Sequence, residues 1–240
     1  MVGWIFDVDG VLVDSPHEEA WGETVLDLAR EWGATPARGY DTALYQRHVA
    51  GKPRLSGAAA LLHALGIPDP DGSRAELLAR RKQERILSLI REGRFRAFPD
   101  AVRLTARAKA AGCRLAAASS SKNADAMLAR VPLEPLLGPE APCPTLIGLF
   151  EANVCGRDFP RGKPDPAIFL AAAQELAIPP ERCVVVEDAP SGAEAAKAAG
   201  MLCVGIARLD DAHLLRDARA DLVVSSLDDV RLAPDGLPAL

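Results

Sequence analysis

The chain opens on a short apolar run, Val2, Trp4, Ile5, Phe6 and Val8, that is β-branched or aromatic and is closed by Gly10. A run of this kind reads as a buried strand. Three acids stand at its end: Asp7, Asp9 and Asp14. Carboxylates beside a buried strand are costly to desolvate unless a cation compensates them. Two of them one residue apart at a strand's C-terminal end point to a bound metal ion. Asp and Gly are also ordinary turn residues, so the rest of the chain has to decide.

Residues 15–95 contain no convincing strand. Over residues 16–32, Trp21, Val25, Leu28 and Trp32 fall three and four apart, the spacing of one helix face. Further helical patterns cover residues 42–49, 55–65 and 74–91, with a plain turn at "LGIPDPDG". Strands and helices then alternate. Helices are expected at 101–111, 124–130, 166–177 and 193–199, and strands at 114–118, 183–186, 203–206 and 222–224. The stretch "PLEPLLGPEAPCP", residues 132–144, holds five prolines and reads as a loop. Alternating βα units imply a parallel sheet with helices on both faces, whose ligands bind beyond the carboxyl ends of the strands. The expected fold class is therefore α/β, with a discontinuous core (residues 1–14 and 97–240) and an all-helical insert (residues 15–96).

Composition removes several classes of function. With 49% hydrophobic and 25% charged residues, 240 residues can bury an ordinary core. A net charge of −5 argues against a nucleic-acid partner. No apolar run approaches the roughly 20 residues that span a bilayer. The first strand begins without a basic segment before it, so no signal peptide is expected. The five cysteines are scattered, without zinc-like spacing. A cytoplasmic monomer with no membrane partner is the expectation.

Four places carry unusual polar residues, each expected at a strand end. The first ends in Asp7-Val8-Asp9-Gly10. The second, "LAAASSSKN", ends in Ser119, Ser120, Ser121, Lys122 and Asn123. The third, "GRDFPRGKPDPAIF", has Lys163 before a proline at the head of a helix. The fourth, "CVVVEDAPSGAEAAKAAG", ends its strand in Glu187-Asp188. Singly these are common: a serine run is often a helix cap, and Lys-Pro a solvated turn. In this order they fit phosphoryl transfer, which relies on positioning and charge stabilisation. Magnesium takes hard oxygen ligands, here Asp7, the Asp9 carbonyl and Asp188. Ser119 precedes a helix N-terminus that favours an anion, and Lys163 adds positive charge.

The four segments resemble the motifs of the haloacid dehalogenase superfamily of phosphotransferases. "DVDGVLVDS" is similar to its first motif, "AAASSSKN" to its second, Lys163 in "GKPDPAIF" to its third and "VVVEDAPSGAEAAKAAG" to its fourth. The resemblance implies a Rossmann-like core with a helical cap inserted after the first motif. It implies Asp7 as nucleophile, Asp9 as general acid and base, and Ser119, Ser120 and Lys163 as phosphate ligands. Asp7, Asp9, Glu187 and Asp188 would form the magnesium site. The dehalogenase branch lacks the second aspartate of the first motif, so Asp9 points to phosphate chemistry.

Within the superfamily the cap resembles the β-phosphoglucomutase group. "HVAGKPRLSG" is similar to that group's specificity loop, which brings in Gly51, Lys52 and Arg54, the arginine on the distal phosphate. Lys82 in "ARRKQERI" matches a cap lysine, and His17 in "HEEAW" a histidine of the first cap helix. His17 follows Asp14 by three residues, about two fewer than is usual in the group. Ser121, Lys122 and Asn123 extend the second motif toward a second phosphate. The implied substrate is a small phosphorylated sugar. Cap closure over residues 14–15 and 96–98 would then decide between water and a sugar hydroxyl as acceptor. Two rivals, a receiver-type signalling domain and a silent binding module, account less well for the helical insert and the competent side chains at all four motifs.

Overall fold

The computed structural model describes residues 1–50, 52–209 and 211–239. The opening strand, β1 (Gly3–Phe6), is buried along its whole length. Chain contacts divide the molecule into two units, Met1–Asp14 with Arg96–Leu240, and Ser15–Phe95.

In the first unit, β1 is followed by β2 (Val13–Asp14), which pairs antiparallel with β3 (Arg96–Ala97). Across that ribbon Arg96 Nε donates to Asp14 Oδ2 at 3.0 Å. The main sheet adds β4 (Arg114–Ala117), β5 (Ala152–Asn153), β6 (Cys183–Glu187), β7 (Leu202–Ile206) and β8 (Leu222–Val224). Among the described residues its order is β5-β4-β1-β6-β7-β8, and every neighbouring pair is parallel. β1 thus lies between β4 and β6, and the chain leaves all three at one edge.

The helices of the second unit are α1 (His17–Glu31), α2 (Thr42–His48), α3 (Arg54–Ala64) and α4 (Ser73–Arg91). Its core joins Trp21, Val25, Leu28, Leu44, Leu61, Leu62, Leu65 and Leu78. Asp41 caps α2 by accepting from the Leu44 amide at 2.7 Å. Back in the first unit come α5 (Pro99–Ala110), α6 (Ala124–Leu128), α7 (Glu134–Leu137), α8 (Ala167–Leu176), α9 (Pro190–Ala198) and α10 (Ala212–Asp217). One face of the sheet sends Ile5, Ala116, Val185 and Cys203 into a core with Phe169 and Ala172 of α8 and Ala193 and Ala196 of α9. Strand alternation turns Trp4, Phe6, Val184 and Val186 to the other face. No helix among the described residues is long and apolar enough to cross a membrane.

Several elements differ from the sequence expectation. The proline-rich stretch holds α7, with Pro135 in its first turn, where the fixed φ of proline suits a helix start. β2, β3 and β5 have two residues each, too few for any periodicity to register.

Asp100, in the first turn of α5, ties distant segments of the core unit together. Its Oδ2 accepts from Arg208 Nη1 and from the Leu227 amide, each at 2.9 Å, and its Oδ1 accepts from the Ala101 amide. Burial works to raise the carboxyl, but these donors outweigh it and hold it below its ordinary 3.8. A group depressed on folding stabilises the fold above its ordinary pKa and loses that contribution as pH falls through the folded value. Asp100→Asn is therefore expected to lower stability at neutral pH by about 2 kcal/mol. The gap from the parent protein should narrow below pH 3.8 in urea titrations at stepped pH; a gap constant with pH would contradict this account.

Candidate active site

Sheet hydrogen bonding places the first acid. The Asp7 amide donates to the Val186 carbonyl at 3.0 Å, and the Ala118 amide donates to Phe6 at 2.9 Å, so β1 stays in register with β6 and β4 one residue beyond its end. Asp7 is 6% exposed. Its Oδ1 accepts from Lys163 Nζ at 2.5 Å. The same ammonium donates to Oε1 of Glu187, the last residue of β6, and lies 5.0 Å over the Phe169 ring. Lys163 reaches this position from the loop between β5 and α8, which corrects the expectation that it stands at a strand end.

The other oxygen of Glu187 accepts from the amides of Asp188 and Ala189 at 3.1 and 3.2 Å. These donors precede α9, whose first turn presses on the carboxylate. A Cβ at Gly192 would lie 2.0 Å from Glu187 Cδ. Gly10 plays the same part for Asp188: its φ is +85°, and a Cβ there would lie 1.9 Å from Asp188 Oδ2. Both positions require glycine because a carboxylate occupies the space of a side chain. In the sequence Gly10 reads only as the close of a strand, and the one signal for Gly192 is its place two residues after Pro190, the first residue of α9.

On the other side of β1, Ser119 Oγ donates to Asp9 Oδ2 at 3.1 Å and accepts from the Ser121 amide at 3.0 Å. The Gly156 amide donates to the Ser119 carbonyl at 2.8 Å. Ser119 is buried, while Ser120 is exposed at the head of the turn. Asp7, Asp9, Ser119, Lys163, Glu187 and Asp188 thus form one connected group. Asn123 is buried nearby, its amide donating to Ser121 Oγ. Lys122 is exposed and paired with Asp158 at 2.9 Å.

In the helical unit, Lys82 is buried with Nζ 2.5 Å from His17 Nδ1 and 5.1 Å over the Trp21 ring. Lys52 is exposed, Arg54 begins α3, and Gly51 lies outside the described residues.

The electrostatics of the group are unbalanced. Burial pushes the Asp7 carboxyl up to about 8; Lys163 opposes this, while Glu187 and Asp9 add to it. Burial, then Glu187 and Asp7, hold Asp188 well above its ordinary value. Burial works to lower Lys163, but the carboxylates of Asp7 and Glu187 prevail and raise it above the ordinary lysine range. One ammonium therefore faces three carboxylates, Asp7, Glu187 and Asp188, each offering an oxygen within 4.8 Å of the others. A hard divalent cation fits this donor set and would supply the missing positive charge. Asp9 is expected to add its backbone carbonyl rather than its side chain, which accepts from Ser119.

The chain is similar to known proteins over most of its length. The family model described as haloacid dehalogenase-like hydrolase matches residues 3–200. Protein CbbY of Cereibacter sphaeroides is 33% identical over 210 residues, 83% of this chain and 81% of that protein. A β-phosphoglucomutase of Mycobacterium bovis is 32% identical over 244 residues, 94% and 90% of the two chains. The crystal structure of a CbbY variant from Rhodobacter sphaeroides in complex with xylulose-(1,5)bisphosphate has a TM-score of 0.72 and 28% identity, covering 96% of each chain. This chain belongs to the haloacid dehalogenase-like hydrolases, in their β-phosphoglucomutase-like group, and is an enzyme of the phosphatase and phosphomutase kind.

Proposed function

We propose that the protein transfers a phosphoryl group from a small phosphorylated sugar through an aspartyl-phosphate on Asp7, with water as the acceptor. The observation that carries this reading is the Lys163 ammonium held on Asp7 beside the Asp9–Ser119 hydrogen bond. Asp7 attacks phosphorus, and the sugar oxygen leaves with a proton from Asp9. Asp9 then takes a proton from the water that attacks the aspartyl-phosphate. Lys163 turns its charge to the phosphoryl oxygens while Glu187 keeps its position, and Ser119 and Ser120 offer donors at the turn before α6. Magnesium, held by Asp7, Asp188 and Glu187 with the Asp9 carbonyl, would supply charge neutralisation and keep Asp7 ionised. Substrate choice draws on Ser121, Lys122 and Asn123 and, in the helical unit, on His17, Gly51, Lys52, Arg54 and Lys82.

A second reading, transfer to a sugar hydroxyl, is favoured by the β-phosphoglucomutase relative that matches 94% of this chain. Phosphorus NMR separates the two. The protein with magnesium is given xylulose 1,5-bisphosphate, and separately β-glucose 1-phosphate with a trace of glucose 1,6-bisphosphate. Inorganic phosphate is the expected product, lost by at least about a thousandfold in Asp7→Asn. Glucose 6-phosphate would establish the mutase instead. Unchanged spectra across a wider panel of sugar phosphates would overturn the reading.

Gly192→Ala tests the packing behind Lys163. The added methyl must displace the Glu187 carboxylate, so the rate should fall at least about tenfold, with a stability loss of about 1–3 kcal/mol from overpacking. Steady-state kinetics and thermal unfolding check this. A variant that turns over like the parent protein would mean that Glu187 does not set the position of Lys163.

A further inference from the structure

Arg208 lies two residues beyond β7, on a loop that belongs to none of the four motifs. Its guanidinium joins two segments of the core unit, residues 10–11 and 98–100. Nε donates to the Gly10 carbonyl at 3.2 Å and Nη2 to the Val11 carbonyl at 3.1 Å. Nη1 donates to Asp100 Oδ2 at 2.9 Å, and the group lies 3.7 Å from the centroid of the Phe98 ring. The side chain is 19% exposed. This is the use for which arginine differs from lysine: a planar fork with separate donors and a face that stacks.

The two carbonyls belong to the turn that follows Asp9. In that turn the Gly10 amide donates to Val13 at 2.9 Å, and the amides of Leu12 and Val13 both donate to Val8. On one side the Gly10 backbone abuts the Asp188 carboxylate, which leaves no room for a Cβ; its carbonyl is held by Arg208. The turn is clamped between a residue of the acidic group and a cation outside it. Asp100 completes the device, since the amides of Ala101 and Leu227 fix the carboxylate that aims the guanidinium.

We propose that Arg208 is a positioning residue for phosphoryl transfer. It fixes the peptides at Gly10 and Val11, and through them the directions in which Asp9 and Asp188 present their carboxylates. Nothing in the four motifs assigns this role, and it rests on the reading of Asp7 and Asp9 given above. A turn left without its clamp would misplace the proton donor more than it would weaken binding.

The test uses the full chain with magnesium and the best phosphorylated sugar of the panel, comparing Arg208→Lys, Arg208→Met and Arg208→Ala with the parent protein. In each variant kcat should fall between about tenfold and a hundredfold, with KM within about threefold. The lysine variant should not restore the rate, whereas millimolar guanidinium should recover part of it in Arg208→Ala. Amide exchange should quicken at residues 9–13 and stay unchanged at residues 183–187. A kcat within about twofold of the parent in all three variants, or exchange that quickens throughout the sheet, would overturn the proposal. A parent protein inactive on every substrate would reject the phosphoryl-transfer reading itself. Exchange at residues 9–13 would then decide alone whether Arg208 holds the turn.

Discussion

The ammonium of Lys163, buried between the carboxylates of Asp7 and Glu187, is the contact on which the rest of the site depends. Removing one partner of a buried ion pair costs about 3–5 kcal/mol, because the charge left behind has no water to turn to. Three chain segments far apart in sequence must therefore arrive together: the end of β1, the end of β6 and the loop before α8. The parallel register of β1 with β6 supplies two of them. The third arrives on a loop, with Phe169 packed beneath the lysine. Glycine at positions 10 and 192 follows from the same arrangement, since the carboxylates fill the space that side chains would need.

This contact also explains why the acids stand where the opening strand ends. Three carboxylates, two buried and one half-buried, with one cation are short of positive charge, and Asp7 and Asp188 respond by holding their protons more tightly. A divalent cation and a phosphate brought in together would restore the balance, the metal supplying charge to the acids and Lys163 supplying it to the phosphate. A CbbY variant solved in complex with xylulose-(1,5)bisphosphate shares the fold over 96% of the chain.

Much of this was legible from the chain. The four polar segments could be placed because three of them follow runs of buried strand, where a carboxylate or a cluster of serines is conspicuous. The helices were legible where an apolar stripe repeats over two turns or more, as in α1 and α4. Short elements left no such trace: β5 is Ala152–Asn153, and α7 sits inside a proline-rich stretch. Lys163 was legible as a residue but not as a loop residue, because the strand before it is only two residues long. Arg208 could not be read at all. A single arginine after a strand is usually solvated, and its role comes from residues 10, 11, 98 and 100, which only the folded chain brings beside it.

The central claim is that Asp7 carries the phosphoryl group. Borohydride quenching of the protein during turnover, followed by mass spectrometry of the peptide that contains residue 7, tests it most directly. Reduction of an aspartyl-phosphate should convert Asp7 into homoserine and leave Asp9, Asp14 and Asp188 unchanged. Homoserine at another aspartate, or none at all during sustained phosphate release, would contradict the account.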